Sequence, residues 1–172
     1  MPTPAYVTIE GSNQGLITAG ANTADSMANK YQEGVEDYST VQALKHEVIL
    51  PRDPQSGQPS GQRVHQPLVI TKIMDKASPL LSNSLSTGEN LTEVELKFYR
   101  TSMTGTEEHY FTIKLTDARI VDMRTYFPNA QDPATAHFTH LEDVEFSYRM
   151  IEWTHEVAGT SASDDWRARD YT

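Results

Sequence analysis

The chain has 172 residues, 24 acidic against 14 basic side chains for a formal charge of −10, 37 % apolar residues and no cysteine. At that length a single domain is expected, large enough to bury roughly 70 % of the surface its unfolded chain exposes. The acidic balance without a Lys/Arg run argues against nucleic acid as a partner, the missing cysteines exclude thiolate chemistry and disulfides, and apolar runs such as Leu68-Val69-Ile70 fall far short of the roughly 20 residues that cross a bilayer, so no membrane insertion is expected.

The opening Met1-Pro2-Thr3-Pro4-Ala5 has neither a positive nor an apolar targeting region, which predicts no cleavable export signal. Ala5, Val7 and Ile9 then alternate with Tyr6, Thr8 and Glu10 as a strand with one buried face. After a polar stretch over 11–34, Leu44, His46, Val48 and Leu50 repeat the pattern. Residues 51–63 carry no aliphatic or aromatic side chain apart from three prolines, which predicts an extended arm of reduced freedom rather than a floppy hairpin tip. A strand follows over 64–73. The one helix is expected over 75–88, with Asp75 or Ser78 to cap it, Pro79 in its first turn, Gly88 as a left-handed stop, and Leu80, Leu81 and Leu85 as a narrow apolar stripe. Further strands are predicted around Val94, Leu96 and Phe98, from His109 to Leu115, over 118–123, and over roughly 142–156. In the last, the apolar side switches at Ile151 and Trp153, which calls for a bulge or bend. The polar tail 158–172 holds a single tryptophan, Trp166, either docked on its own chain or anchoring a subunit interface.

No catalytic constellation emerges. His137-Phe138-Thr139-His140 is the only close histidine pair and has no third ligand placed by a known pattern, so no metal is assigned. Glu93 and Glu95 share one strand face, but Val94, Leu96 and Phe98 claim the core side, and the pair reads as a solvated face rather than the carboxylates of a glycosidase. There is no Gly-x-Ser-x-Gly elbow, and Gly57-Gln58-Pro59-Ser60-Gly61 lacks the Lys of a phosphate loop. Acidic residues fall in separate clusters, among them Glu33, Glu36 and Asp37, then Glu107 and Glu108, then Glu142, Asp143 and Glu145, which predicts charge spread over the surface.

Taken together, the opening Pro4-Ala5-Tyr6-Val7-Thr8-Ile9-Glu10-Gly11, the arm Asp53 to His65 and the helix start Asp75-Lys76-Ala77-Ser78-Pro79-Leu80-Leu81 resemble the hemolysin-coregulated proteins, tube subunits of bacterial type VI secretion systems. So do Glu95-Leu96-Lys97-Phe98-Tyr99-Arg100, Leu115-Thr116-Asp117-Ala118 and the ending Val157-Ala158-Gly159-Thr160-Ser161 with Asp164-Asp165-Trp166-Arg167. The resemblance spans nearly the whole chain and departs at Val35, where relatives often carry histidine. It implies a mainly β fold, a small β-barrel of two packed antiparallel sheets flanked by one short α-helix, as one domain over 1–172 without cofactor. It also implies homo-hexameric rings that stack into a hollow tube, sheath and spike proteins as partners, and small effectors in the lumen. Such subunits wait in the bacterial cytoplasm and leave it without a signal peptide; ending soon after Trp166, this chain is expected to be of the unfused, structural type. On that reading Asp53, Gln55, Gln58, Gln62 and Arg63 of the arm, with Trp166, are the candidates for contact with neighbouring subunits. Two other classes compete, a monomeric β-barrel with a small ligand in its interior and a β-sandwich glycosidase.

Overall fold

The computed structural model describes residues 3–168. Along the chain lie β1 (Ala5–Gly11), β2 (Gly15–Leu16), α1 (Ala24–Met27) with a 3-10 turn (Ala28–Lys30), β3 (Ser39–Lys45), β4 (Val48–Ile49), β5 (Val64–His65), β6 (Leu68–Ile73), α2 (Ser78–Thr87), β7 (Leu91–Thr101), β8 (Glu107–Tyr126), β9 (Leu141–Ser147), β10 (Met150–His155) and β11 (Thr160–Asp165). The mainly β expectation holds. The flanking helix is α2, and α1 adds a single turn inside the polar stretch 11–34.

Hydrogen bonding joins nine strands into one continuous antiparallel sheet that wraps round the core. Its closure depends on β8, which is 20 residues long and changes partners along its length. Its first part pairs with β7 from Thr101↔Glu107 to Leu91↔Ala118, and its second part pairs with β9 from Arg119↔Ser147 to Tyr126↔Leu141. Pairing therefore runs β8–β7–β1–β3–β6–β9 and back to β8, a closed ring of pairings, while β10 and β11 extend from it as a flap. The predicted strands 109–115 and 118–123 are thus one strand. Thr116-Asp117 breaks their alternation, and Asp117 is absorbed as an irregularity with φ 51°.

Inside the ring, Val7, Ile9, Leu68, Ile70, Leu81, Leu91, Val94, Leu96, Leu115, Val144, Phe146 and Ile151 form a closed apolar core. These positions follow the alternation of β1, β6, β7 and β9, because successive side chains of a strand face opposite sides. The predicted switch before Ile151 is the break between β9 and β10. There Arg149 N–H reaches the carbonyls of Thr116 and Asp117 at 3.3 Å each, so both Tyr148 and Ile151 turn inward.

One alternation misled. Leu44, His46, Val48 and Leu50 are not a single strand: β3 lies earlier, with Ser39 and Val41 inward, and the chain leaves the sheet after Lys45. Val48, Ile49 and Leu50 stand outside the core, with Leu50 54 % exposed.

Neither predicted residue is the cap: the N-cap position falls to Ala77, whose methyl group cannot bond, and Asp75 and Ser78 instead brace the turn before it, Asp75 Oδ1 accepting the Ala77 N–H at 2.9 Å and Ser78 Oγ the Asp75 N–H at 3.0 Å. Gly88 ends the helix at φ 68°, with its N–H on Leu85 O and that of Glu89 on Ser84 O. Leu81 is buried and Leu85 packs on the core, but Leu80 is exposed, and Ser84 takes the third inward position. Beneath the helix start, fully buried Lys72 pairs with Asp75 at 3.0 Å and with Glu142, and its ammonium also donates to Ser78 Oγ at 3.3 Å. Glu142 is therefore a core residue rather than part of a surface charge cluster.

Candidate functional site

The segment that projects from this body is the arm. Its root is the β4–β5 ladder, Val48↔His65 and Ile49↔Val64, extended by the Gln66 N–H on Glu47 O at 3.0 Å. Beyond it Arg52 bridges Pro59, the Ser60 N–H donates to Pro51 O, and the Asp53 N–H donates to Gln58 O, both at 2.8 Å. At the tip the Gly57 N–H closes on Asp53 O, and glycine is needed there because φ is +73°. The Asp53 carboxylate accepts the Gln55 N–H at 2.9 Å and the Ser56 hydroxyl at 3.0 Å, and those two bonds hold it below the usual carboxylate range. The arm is thus a hairpin with its own internal bonds. Pro51, Pro54 and Pro59 lack an N–H, which leaves little on its rims for a stray strand to pair with.

A polar junction ties this hairpin to the body. The Tyr148 hydroxyl sits 2.7 Å from both His46 Nε2 and His65 Nδ1. On its other side His65 Nε2 is 2.7 Å from Asp164 Oδ2, and Arg63 grips the same carboxylate with Nε at 2.6 Å and a terminal nitrogen at 2.7 Å. The two charge-assisted bonds from Arg63 hold the Asp164 carboxyl below its ordinary range against the effect of its burial, and His65 adds to them. Burial pushes the Tyr148 hydroxyl well up, helped by Asp164, and burial followed by the nearby His65 pulls His46 down. The Trp166 indole N–H donates to Tyr148 O, and its ring lies 5.8 Å from that of His65.

The six candidates therefore divide. Gln55, Gln58 and Gln62 are exposed on the arm, and Asp53 shapes its tip. Arg63 and Trp166 are engaged by their own chain at the root, which for Trp166 is the first of its two readings. Sequence reasoning missed the exposed apolar residues at the root of the arm, Val48, Ile49, Leu50 and Val64, and the hub Tyr148. Three consecutive aliphatic residues just before a polar loop were the available signal for the first.

Elsewhere, Glu93 pairs with Lys114 at 3.4 Å and Glu95 with Lys97 at 3.6 Å, as on a solvated strand face. His137 lies against Phe138 and His140 against Phe127. A groove of about 610 Å³ and another of about 500 Å³ share Gln32, Thr40 and Gln42. Thr40 and Gln42 flank the inward Val41, so both grooves lie on the outer face of β3 and not in the filled interior, where a ligand-binding barrel would hold its guest.

The family model for "Type VI secretion system effector, Hcp" matches residues 6–155. The "Major exported protein" of Pseudomonas aeruginosa is 66 % identical over 98 % of each chain. A solved structure described as "Crystal structure of Hcp protein" superposes with a TM-score of 0.93 at 48 % identity, covering 98 % of this chain and 100 % of that one. The "Secreted protein Hcp3 from Pseudomonas aeruginosa" gives 0.83 at 57 % identity, covering 97 % and 100 %.

Proposed function

The chain belongs to the Hcp family of type VI secretion proteins, and from that premise we propose that it is the structural subunit of an exported tube. Six copies close into a ring, rings stack head to tail into a hollow tube, a contractile sheath drives the tube out behind a spike, and the lumen carries small effectors. The subunit waits in the bacterial cytoplasm, leaves without a signal peptide and performs no catalysis. Head-to-tail contact of unlike surfaces closes a ring when the rotation between copies is right.

The observation that carries this reading is the arm. A hairpin with its own internal bonds loses little freedom on docking, and it carries exposed aliphatic side chains at its root, with Ile49 and Val64 paired across the ladder and Val48 and Leu50 on the opposite face of β4 and its extension. A neighbouring copy is the surface proposed to cover them, with Gln55, Gln58 and Gln62 adding hydrogen bonds at the rim.

Light scattering and negative-stain microscopy of the purified protein test the assembly. The expected result is a ring of six, and a monodisperse monomer at tens of micromolar, roughly the level of an abundant structural protein, overturns it. Replacing Gln55 to Gly61 by an Asn-Gly turn is expected to leave the body folded and to impair rings or export; normal rings and normal export in that variant refute the role of the arm.

A further inference from the structure

The junction at the arm root contains more titratable groups than an anchor needs. A phenol has one proton to donate and two lone pairs to accept with, and the Tyr148 hydroxyl has a histidine nitrogen 2.7 Å away on each side. Both Tyr148 and the His65 side chain are almost fully buried, so their bonds are not readily exchanged for bonds to water.

With both histidines neutral, one direction satisfies every member: His46 Nε2–H donates to the Tyr148 oxygen, Tyr148 O–H donates to His65 Nδ1, and His65 Nε2–H donates to Asp164. A first proton on His65 Nδ1 reverses the bonds at the hydroxyl. His65 then donates to the Tyr148 oxygen, and Tyr148 O–H turns to His46 Nε2, whose own proton moves to Nδ1. Nothing is lost. With a second proton, on His46, both rings donate to one oxygen, the Tyr148 O–H has no acceptor left among the described residues, and two cations flank a single buried hydroxyl.

We propose that the His46–Tyr148–His65–Asp164 chain is a proton-counting latch, which holds the arm on β11 with none or one of its histidines protonated and releases it when both are. The groups around it set its range. Lys45, Glu47 and Glu145 line the cleft beside His46, the two glutamates favouring its cation and Lys45 opposing it. Arg63 grips Asp164 and also donates to the Asp165 carbonyl at 3.3 Å, while Arg149 Nε pairs with the neighbouring Asp165 at 3.1 Å. Burial and His65 prevail at His46 and place its step below the ordinary histidine range of about 6.5. Arg63 holds the Asp164 carboxyl below its ordinary range, so the latch is assigned to its histidines. If the arm joins neighbouring copies, a consequence that rests on the proposed function, assembly is firm near neutrality and loosens in acid.

Amide-exchange protection over 47–66, corrected for intrinsic rate, measured from pH 7.5 to pH 4 reads the latch on the intact protein. In the wild type it is expected to fall at least ten-fold across that range. Tyr148→Phe is expected to show the low value already at pH 7.5. His46→Gln keeps a donor and an acceptor for Tyr148 but takes no second proton, and it is expected to hold the arm to at least one pH unit lower than the wild type. Unchanged wild-type protection, or a His46→Gln arm that opens at the wild-type pH, overturns the latch. Ring mass, read in parallel by light scattering, bears on the proposed assembly alone.

Discussion

The closed body and the projecting arm are held together by different physics. In the body, the strands and α2 share a dozen apolar side chains with no exposed surface, so the loss of any one contact is spread over many neighbours. In the arm the residues from Arg52 to Gln62 are all exposed, and the hairpin keeps its shape through backbone bonds, one aspartate and a glycine. Its direction depends on a single junction of two histidines, a tyrosine, an arginine and an aspartate. Stability thus resides in one region and adjustable geometry in the other, a division suited to a subunit that must stay folded while its contacts form and break.

The strongest way to break that division is to strike the body where it too relies on charge. Lys72→Met leaves Asp75 and Glu142 buried side by side without their cation, and the expected loss is about 3–5 kcal/mol of unfolding free energy by denaturant titration at fixed protein concentration. Exchange at the arm tip should hardly change in that variant while it remains folded. An equal loosening of tip and core would show the two regions to be one cooperative unit.

Acid separates them next. In the body, burial works to raise the Glu89 carboxyl, but the Gln14 side chain and N–H, the Asn13 N–H and the Ser84 hydroxyl outweigh it and hold the group below its ordinary range. The folded state then binds fewer protons than the unfolded one just below a pH of about 4.5, so this stabilisation is complete above that value and is lost as pH falls through the lowered pKa. His46 behaves alike in sign, with its contribution complete above about 6.5 and lost as pH falls through its own lowered pKa. Arm protection is therefore expected to decline at a higher pH than the melting temperature does. Glu89→Gln should flatten only the second decline, and a single shared midpoint would contradict the separation.

The smallest effect is expected at the tip. Gly57→Ala forces a side chain into a left-handed conformation, at a cost of about 1 kcal/mol confined to the hairpin end. Exchange at Gln55 to Gln58 should rise about five-fold, as that cost implies, with no change in melting temperature. A lowered melting temperature would mean that the tip is coupled to the body after all.

Much of the body was legible because its signals are local. Pro79 and Gly88 mark the helix, and the shifted alternation before Ile151 marks the break between β9 and β10. What stayed hidden was pairing. Nothing within residues 107–126 says that one strand serves β7 with its first part and β9 with its second, and Asp117 disguised the continuity by breaking the alternation. At the arm, Tyr148 looked like one more apolar member of a row with Val144 and Phe146, because a buried tyrosine reveals its hydroxyl's partners only when distant segments meet. His46, His65 and Asp164 come to it from up to 102 positions away. The tube assignment came from collinear likeness over the whole chain, not from any single residue pattern.

The route by which the chain closes its ring also dictates when each strand acquires neighbours during folding. From β7 onward the strands form a meander of partners close in sequence: β7 meets β8 across the turn 102–106, β8 meets β9 and β10, and β10 meets β11, with only β7 and β9 reaching back, to β1 and β6. By contrast β1 needs β7, with Ala5 opposite Phe98, and a loop of that length is slow to close. The carboxy-terminal meander is thus the natural nucleus, and β1 is a late arrival that remains unpaired on its β7 side while the nascent chain is still being made. Pulse-labelled hydrogen exchange during refolding is expected to protect Leu96, Ile113 and Ile151 before Val7 and Ile9, and the reverse order would place the nucleus at the other end of the chain.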